Sequence, residues 1–162
     1  MSEEKMPWYI KIIVFSLVPI SQILLYFVAG KYVNVGNEIS TLQKSLNMTS
    51  SQLLTFEILS VLLFSLLSFG FMYLLIALLL KVFSKNPSYE PLFVALVLTV
   101  GVSNSAAIIV TLILHESVAT VPAILQLILS MGLYYNFSNK DKIGTIIVGT
   151  VYLIFSVIPA FL

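Results

Sequence analysis

Residues 92–114 read LFVALVLTVGVSNSAAIIVTLIL, 23 positions without an Asp, Glu, Lys or Arg. About 20 mainly apolar residues let a helix cross ~30 Å of hydrocarbon, so this stretch reads as a membrane span. Four more charge-free runs occupy residues 12–29, 58–80, 118–137 and 143–162. The chain is 59% hydrophobic and 9% charged, with a mean hydropathy of +1.06. A soluble domain has roughly a quarter of its residues charged, so no watery surface can be built from this composition. The fold class is therefore an all-α, polytopic transmembrane bundle in a single domain of 162 residues, with spans over about 12–30, 53–80, 92–114, 118–137 and 143–162.

Inside the opening stretch, Gly101 with Ser105 and Ser103 with Ala107 form small-xxx-small pairs, the pattern that lets a second helix approach closely. Asn104 lies near mid-membrane, where no water competes, and must find an interhelical hydrogen-bond partner. Gly101-Val102-Ser103-Asn104-Ser105 lacks the second glycine of a nucleophile elbow. The single histidine, His115, is 12 residues beyond Ser103, about 18 Å along a helix, and cannot act as its base. His115-Glu116 begins like a zinc helix, but no second His follows and there is no Cys, so it reads as a polar loop. No catalytic residue, metal site or cofactor is expected.

The remaining polar groups are sparse. Glu57, in the second turn of the second span, reads as an interfacial anchor, with a proton- or ion-coupling site as the alternative. Gln22 in the first span, and Gln126 and Ser130 in the fourth, are single polar residues consistent with a bundle interior. Glu57, Asn104 and Gln126 together would line a polar pocket if the protein binds a substrate. Pro19 removes a helix hydrogen bond and predicts a kink in the first span. Trp8, Tyr9, Tyr89, Tyr134 and Tyr135 near one set of boundaries, and Tyr26 and Tyr32 near the other, fit aromatic belts.

The loops have their own logic. Thr49-Ser50-Ser51-Gln52 has the spacing of a capping box and starts the second helix, which at residues 53–80 is already longer than the hydrocarbon is thick. Residues 81–91 hold Asn86-Pro87 and Glu90-Pro91, residues 138–142 read SNKDK, and His115-Glu116-Ser117 with Pro122 breaks the third span from the fourth. In the loop 31–52, Ile39, Leu42 and Leu46 behind Asn37 are consistent with a short amphipathic helix over 38–47, or with a disordered loop. The first span could be a signal peptide ending at Val28-Ala29-Gly30, but its apolar run exceeds the usual 7–15 residues and retention is expected.

All eight basic residues are lysines. Lys5, Lys11, Lys81, Lys85, Lys140 and Lys142 fall on one side of the spans, and Lys31 and Lys44 on the other. The positive-inside rule then places the N-terminus in the cytoplasm and the C-terminus outside. A net charge of +1 argues against a nucleic-acid partner. The lipid bilayer, other membrane proteins and self-association remain. The lysine-only, Ile- and Asn-rich composition favours a bacterial cytoplasmic membrane, with the endoplasmic reticulum or Golgi as the eukaryotic alternative.

Four segments, residues 46–54 (LNMTSSQLL), 74–83 (LLIALLLKVF), 88–95 (SYEPLFVA) and 126–142 (QLILSMGLYYNFSNKDK), follow one another in an order that resembles the Yip family of five-span membrane proteins, named for interaction with Ypt/Rab GTPases. The resemblance covers roughly residues 46–162. It implies no catalysis and a scaffold or adaptor role, in bacteria as an accessory of an ABC exporter or of an envelope stress or toxin-resistance system. The alternative from the residues alone is a small transporter or substrate-binding membrane subunit with a polar pocket between helices.

Overall fold

In a computed structural model, residues 6–32, 48–84, 87–116 and 118–162 are described, and among them every regular element is helical. Five helices are long and apolar enough to cross a membrane. The amphipathic helix expected over 38–47 lies outside the described residues.

α1 (Trp8–Tyr32) runs unbroken through Pro19. α2 (Ser50–Phe83) has 34 residues, about 51 Å of helix. Its start is set by the expected capping box: Thr49 Oγ1 accepts from the Gln52 N–H at 3.3 Å, and Gln52 Oε1 accepts from the Thr49 N–H at 3.0 Å. The helix therefore begins three residues before the expected 53.

α3 (Tyr89–Leu114) also begins early. Pro91 falls in its first turn, where backbone N–H groups have no intrahelical acceptor and a proline costs nothing in hydrogen bonds. It ends at His115, whose left-handed φ of 56° closes the helix as its N–H donates to the Thr111 carbonyl at 2.9 Å. α4 (Thr120–Phe137) follows, and left-handed Asn139 and Lys140 make the turn after it.

α5 (Lys142–Tyr152) is capped by Asp141, whose side chain accepts from the Gly144 N–H at 3.0 Å. The fifth span departs from the regular helix expected over 143–162. It widens into a π-helical turn, Leu153–Val157, then closes with α6 (Ile158–Ala160). The cause is Pro159, which has no N–H and whose ring clashes with the carbonyl four residues back. A wider turn, with the Ile158 N–H reaching the Leu153 carbonyl, accommodates it.

The ends of the helices meet in a pattern that sets their directions. The Lys11 ammonium donates to Glu90, tying the starts of α1 and α3. Ser84, just past α2, donates to Asp141 at 2.8 Å, tying the end of α2 to the start of α5. At the opposite end, the Tyr32 and His115 rings pack edge-on at 5.2 Å. Sequential helices thus alternate in direction, and Lys11, Lys81, Lys140 and Lys142 gather at one end of the bundle while Lys31 stands at the other.

α3 is the central element, packed mainly between α1 and α4, while α2 lies on α1 and α5. The reason is a stripe of small side chains at four-residue spacing, Ala95, Thr99, Ser103, Ala107 and Thr111, all buried. Such a stripe lets neighbouring backbones come close. It includes the expected Ser103–Ala107 pair but not the other. A Cβ on Gly101 would meet nothing within 4 Å, and Ser105 is exposed with its hydroxyl donating to the Gly101 carbonyl. The Gly101–Ser105 pair therefore brings no helix of this chain closer, because it lies off the packed face. Around the bundle, large side chains such as Phe64, Leu67 and Ile113 stand outward and form an apolar belt.

Candidate functional site

The side-chain hydrogen bonds between spans in the middle of the bundle both involve α3. Ser103 and Asn104 are consecutive, so their side chains leave the helix about 100° apart and reach different neighbours. Asn104 Nδ2 donates to Ser21 Oγ of α1 at 2.9 Å, and Ser21 Oγ donates to the Val18 carbonyl at 3.0 Å. Ser103 Oγ accepts from Gln126 Nε2 of α4 at 3.2 Å and donates to the Val100 carbonyl at 3.1 Å. The interhelical partner that Asn104 requires is thus Ser21. In both chains of bonds a serine passes the interaction on to its own helix, which leaves each donor satisfied without water.

These two bridges fix α1 and α4 on either side of α3 and bring Gln22 and Gln126 to one cavity of about 220 Å³. Ser65 and Ser68 of α2, Tyr152 of α5 and Ser156 of the π-helical turn complete its polar lining. Two further cavities adjoin it, since Gln22 borders all three. One, about 530 Å³, is a cleft between α1 and α2 lined by Leu25, Ala29, Ser60, Val61 and Phe64. The other, about 380 Å³, reaches past Asn104 and Gln126 to Pro122 and Pro159. None of the three is lined by an Asp, Glu, Lys or His residue. The arrangement can form hydrogen bonds in both directions but offers no charge, no nucleophile paired with a base and no metal ligand set; among the described residues no group of three or more His, Asp or Glu gathers.

Gln22 is the most informative side chain. Gln126 is engaged by Ser103 and Asn104 by Ser21, whereas the Gln22 amide makes no hydrogen bond with the described protein. Ser60, Ser68 and Ser156 likewise bond to no protein group, while the Ser65 hydroxyl turns back to the Leu62 carbonyl at 3.1 Å. An unpaired amide at mid-span is costly in hydrocarbon, where each unsatisfied polar group costs several kcal/mol.

Of the pocket expected from Glu57, Asn104 and Gln126, the structure brings together Asn104 and Gln126 only. Glu57 sits beside the Tyr26 hydroxyl near the far end of α1, outside all three cavities. Gln22 takes its place. Ser130 is buried and donates to the Leu127 carbonyl at 3.1 Å, a packing role. Sequence reasoning passed over Ser65, Ser68, Tyr152 and Ser156, because hydroxyls are common in spans and usually bond to their own helix. The one available signal was that Ser65 and Ser68 stand three residues apart on one helix face. Compared with family models, with curated proteins and with solved structures, the chain matches none.

Proposed function

We propose that this is a non-enzymatic, multi-pass membrane protein that holds a small uncharged molecule inside its helical bundle, as a substrate-binding membrane subunit or small transporter. The observation that carries the reading is the convergence of three cavities on Gln22, an amide without a protein partner. A side chain that expensive at mid-span is a functional-site hypothesis by default. The absence of charge from the lining selects for uncharged ligands, because a buried ion would have nothing to pair with.

Thermal unfolding of the detergent-purified protein, screened against uncharged solutes and amphiphiles beside charged counterparts, tests it. Stabilisation by uncharged compounds that Gln22→Leu and Gln126→Leu both weaken is the expected result. Stabilisation by none of them overturns the reading. Flux of each hit across proteoliposomes then separates transport from binding alone.

The topology proposed with it has the lysine-rich end, with Lys11, Lys81, Lys140 and Lys142, in the bacterial cytoplasm and the C-terminus outside. Since the chain has no cysteine, Asn139→Cys and Glu116→Cys provide clean labels. An impermeant maleimide added to intact cells is expected to modify the second and not the first.

A second reading, a Yip-type scaffold or adaptor serving an exporter or a stress or toxin-resistance system, is favoured by α2. Only five of its 34 residues are buried, which leaves a long apolar face for lipid or for a partner helix. Recovery of a stoichiometric membrane partner in mild detergent supports it, and recovery of the protein alone counts against it.

A further inference from the structure

The cleft between α1 and α2 differs from the cavity it opens from in a way that identifies the kind of molecule it takes. The inner cavity gathers two amides and four hydroxyls among apolar walls, whereas the cleft, with Tyr26 and Ser60 as its own polar groups, exposes a more apolar surface through Leu25, Ala29, Val61 and Phe64. At about 530 Å³ the cleft falls within the roughly 300–1,000 Å³ typical of small-molecule sites. It runs along the first half of α2, from Ser60 to Ser65, and the second half of α1, from Gln22 to Ala29, within the length of both spans. At its mouth Phe64 is 73% exposed, within the apolar belt. A route with those walls opens sideways, into acyl chains. The two regions meet at Gln22 and Ser65, which border both.

We propose that the site binds a membrane amphiphile with an uncharged, hydroxylated head, of the acylglycerol class, which enters sideways between α1 and α2. The head lies against Gln22, Ser68 and the free oxygen of Gln126, and an acyl chain lies along Val61 and Phe64. The Gln22 amide both donates and accepts, the Gln126 Oε1 accepts, and the serine hydroxyls do either, which suits a head that carries hydroxyl and ester groups. A phosphate-bearing lipid is disfavoured by the same lining, since no Lys or His stands at any of the three cavities to compensate the buried charge. The proposal rests on the ligand-binding reading above and narrows it to one class and one entry route.

The test uses the full chain in lipid nanodiscs. The probe is a diacylglycerol with a diazirine in one acyl chain, run beside a phosphatidic acid with the same photoreactive chain, and adducts are mapped by mass spectrometry. The expected result is diacylglycerol adducts concentrated on Leu25, Val61 and Phe64, competed by unlabelled diacylglycerol and absent with phosphatidic acid. Gln22→Leu is expected to lower cleft labelling about threefold, the loss of one membrane hydrogen bond. Val61→Trp, which fills the cleft, should bring labelling to background.

Equal labelling by phosphatidic acid, adducts scattered around the whole belt, or labelling unaffected by either variant overturns the proposal. The comparison of the two probes on the unaltered protein decides the matter even if a variant fails to fold. If an uncharged soluble compound stabilises the protein through Gln22 while the cleft stays unlabelled, the amphiphile proposal falls and the ligand-binding reading stands.

Discussion

α2 and α3 are both long, apolar helices, and by composition they are interchangeable. α3 has nine buried residues out of 26, α2 five out of 34. The difference lies in side-chain size at one spacing. α3 repeats a small residue every fourth position from Ala95 to Thr111, whereas the buried positions of α2 are Leu53, Phe69, Ile76 and Leu80 with Ser65 as the one small residue. Between helices in lipid there is little hydrophobic drive, so close packing and interhelical hydrogen bonds select the partner. Apolarity places a helix in the membrane; small residues place it in the centre.

Enlarging the stripe should break that contrast most sharply. Ser103 is fully buried and bonded to Gln126, so Ser103→Leu both overpacks the α3–α4 contact and removes the acceptor, at a cost of about 2–3 kcal/mol in unfolding from mixed micelles. Leu67→Ala on the outward face of α2 is the control, and a change within about 0.5 kcal/mol is expected. If the two variants unfold alike, α3 is not the organising helix.

Gly144 marks a second close approach, at the foot of α5. A Cβ there would run into the Asp141 carboxylate and stand 2.7 Å from Tyr134 Cε1 and 2.8 Å from its hydroxyl, and Tyr134 is fully buried. Gly144→Ala is expected to lower stability by about 1–3 kcal/mol, and Tyr134→Leu in the same chain to restore part of it, a coupling that a thermal-unfolding cycle measures.

Smaller effects sharpen the comparison at its margins. Thr49→Ala removes the capping box of α2 and should cost about 1 kcal/mol, with faster amide exchange confined to the first turns of that helix. Asn104→Ala removes the bond to Ser21 and should cost about 0.6 kcal/mol, the mean for such bonds in membrane proteins, and at most ~1.7. A larger loss in unfolding assays would mean that Asn104 organises more than the α1–α3 contact.

Much of the fold was legible in the residues. The Thr49–Gln52 cap, the breaks near His115 and at 138–142, and the five apolar runs all correspond to observed features, because each depends on neighbours within one turn of chain. The helix ends moved by up to four residues, since a lysine or a glutamate in a terminal turn belongs to the helix even though it interrupts an apolar run. The π-helical turn was less visible. Pro159 signals a disturbance, but whether the chain kinks, stops or widens depends on what packs against it.

The candidate site was legible only in its parts. Gln22, Asn104 and Gln126 each stood out as a polar residue in an apolar run, yet Glu57 looked as good a companion for them as Gln22 did. Which of them share a cavity depends on the rotation and depth of each helix, and those are set by the Ala95–Thr111 stripe and by contacts such as Lys11 with Glu90 and Ser84 with Asp141. The sequence by itself determined that five helices can span a membrane, and where they begin and turn, because transfer of side chains to hydrocarbon and the capping of helix ends are local properties. Tertiary structure alone decided which helix is central and that Gln22 faces a cavity without a protein partner, because an interhelical hydrogen bond exists only once two helices have taken up their register.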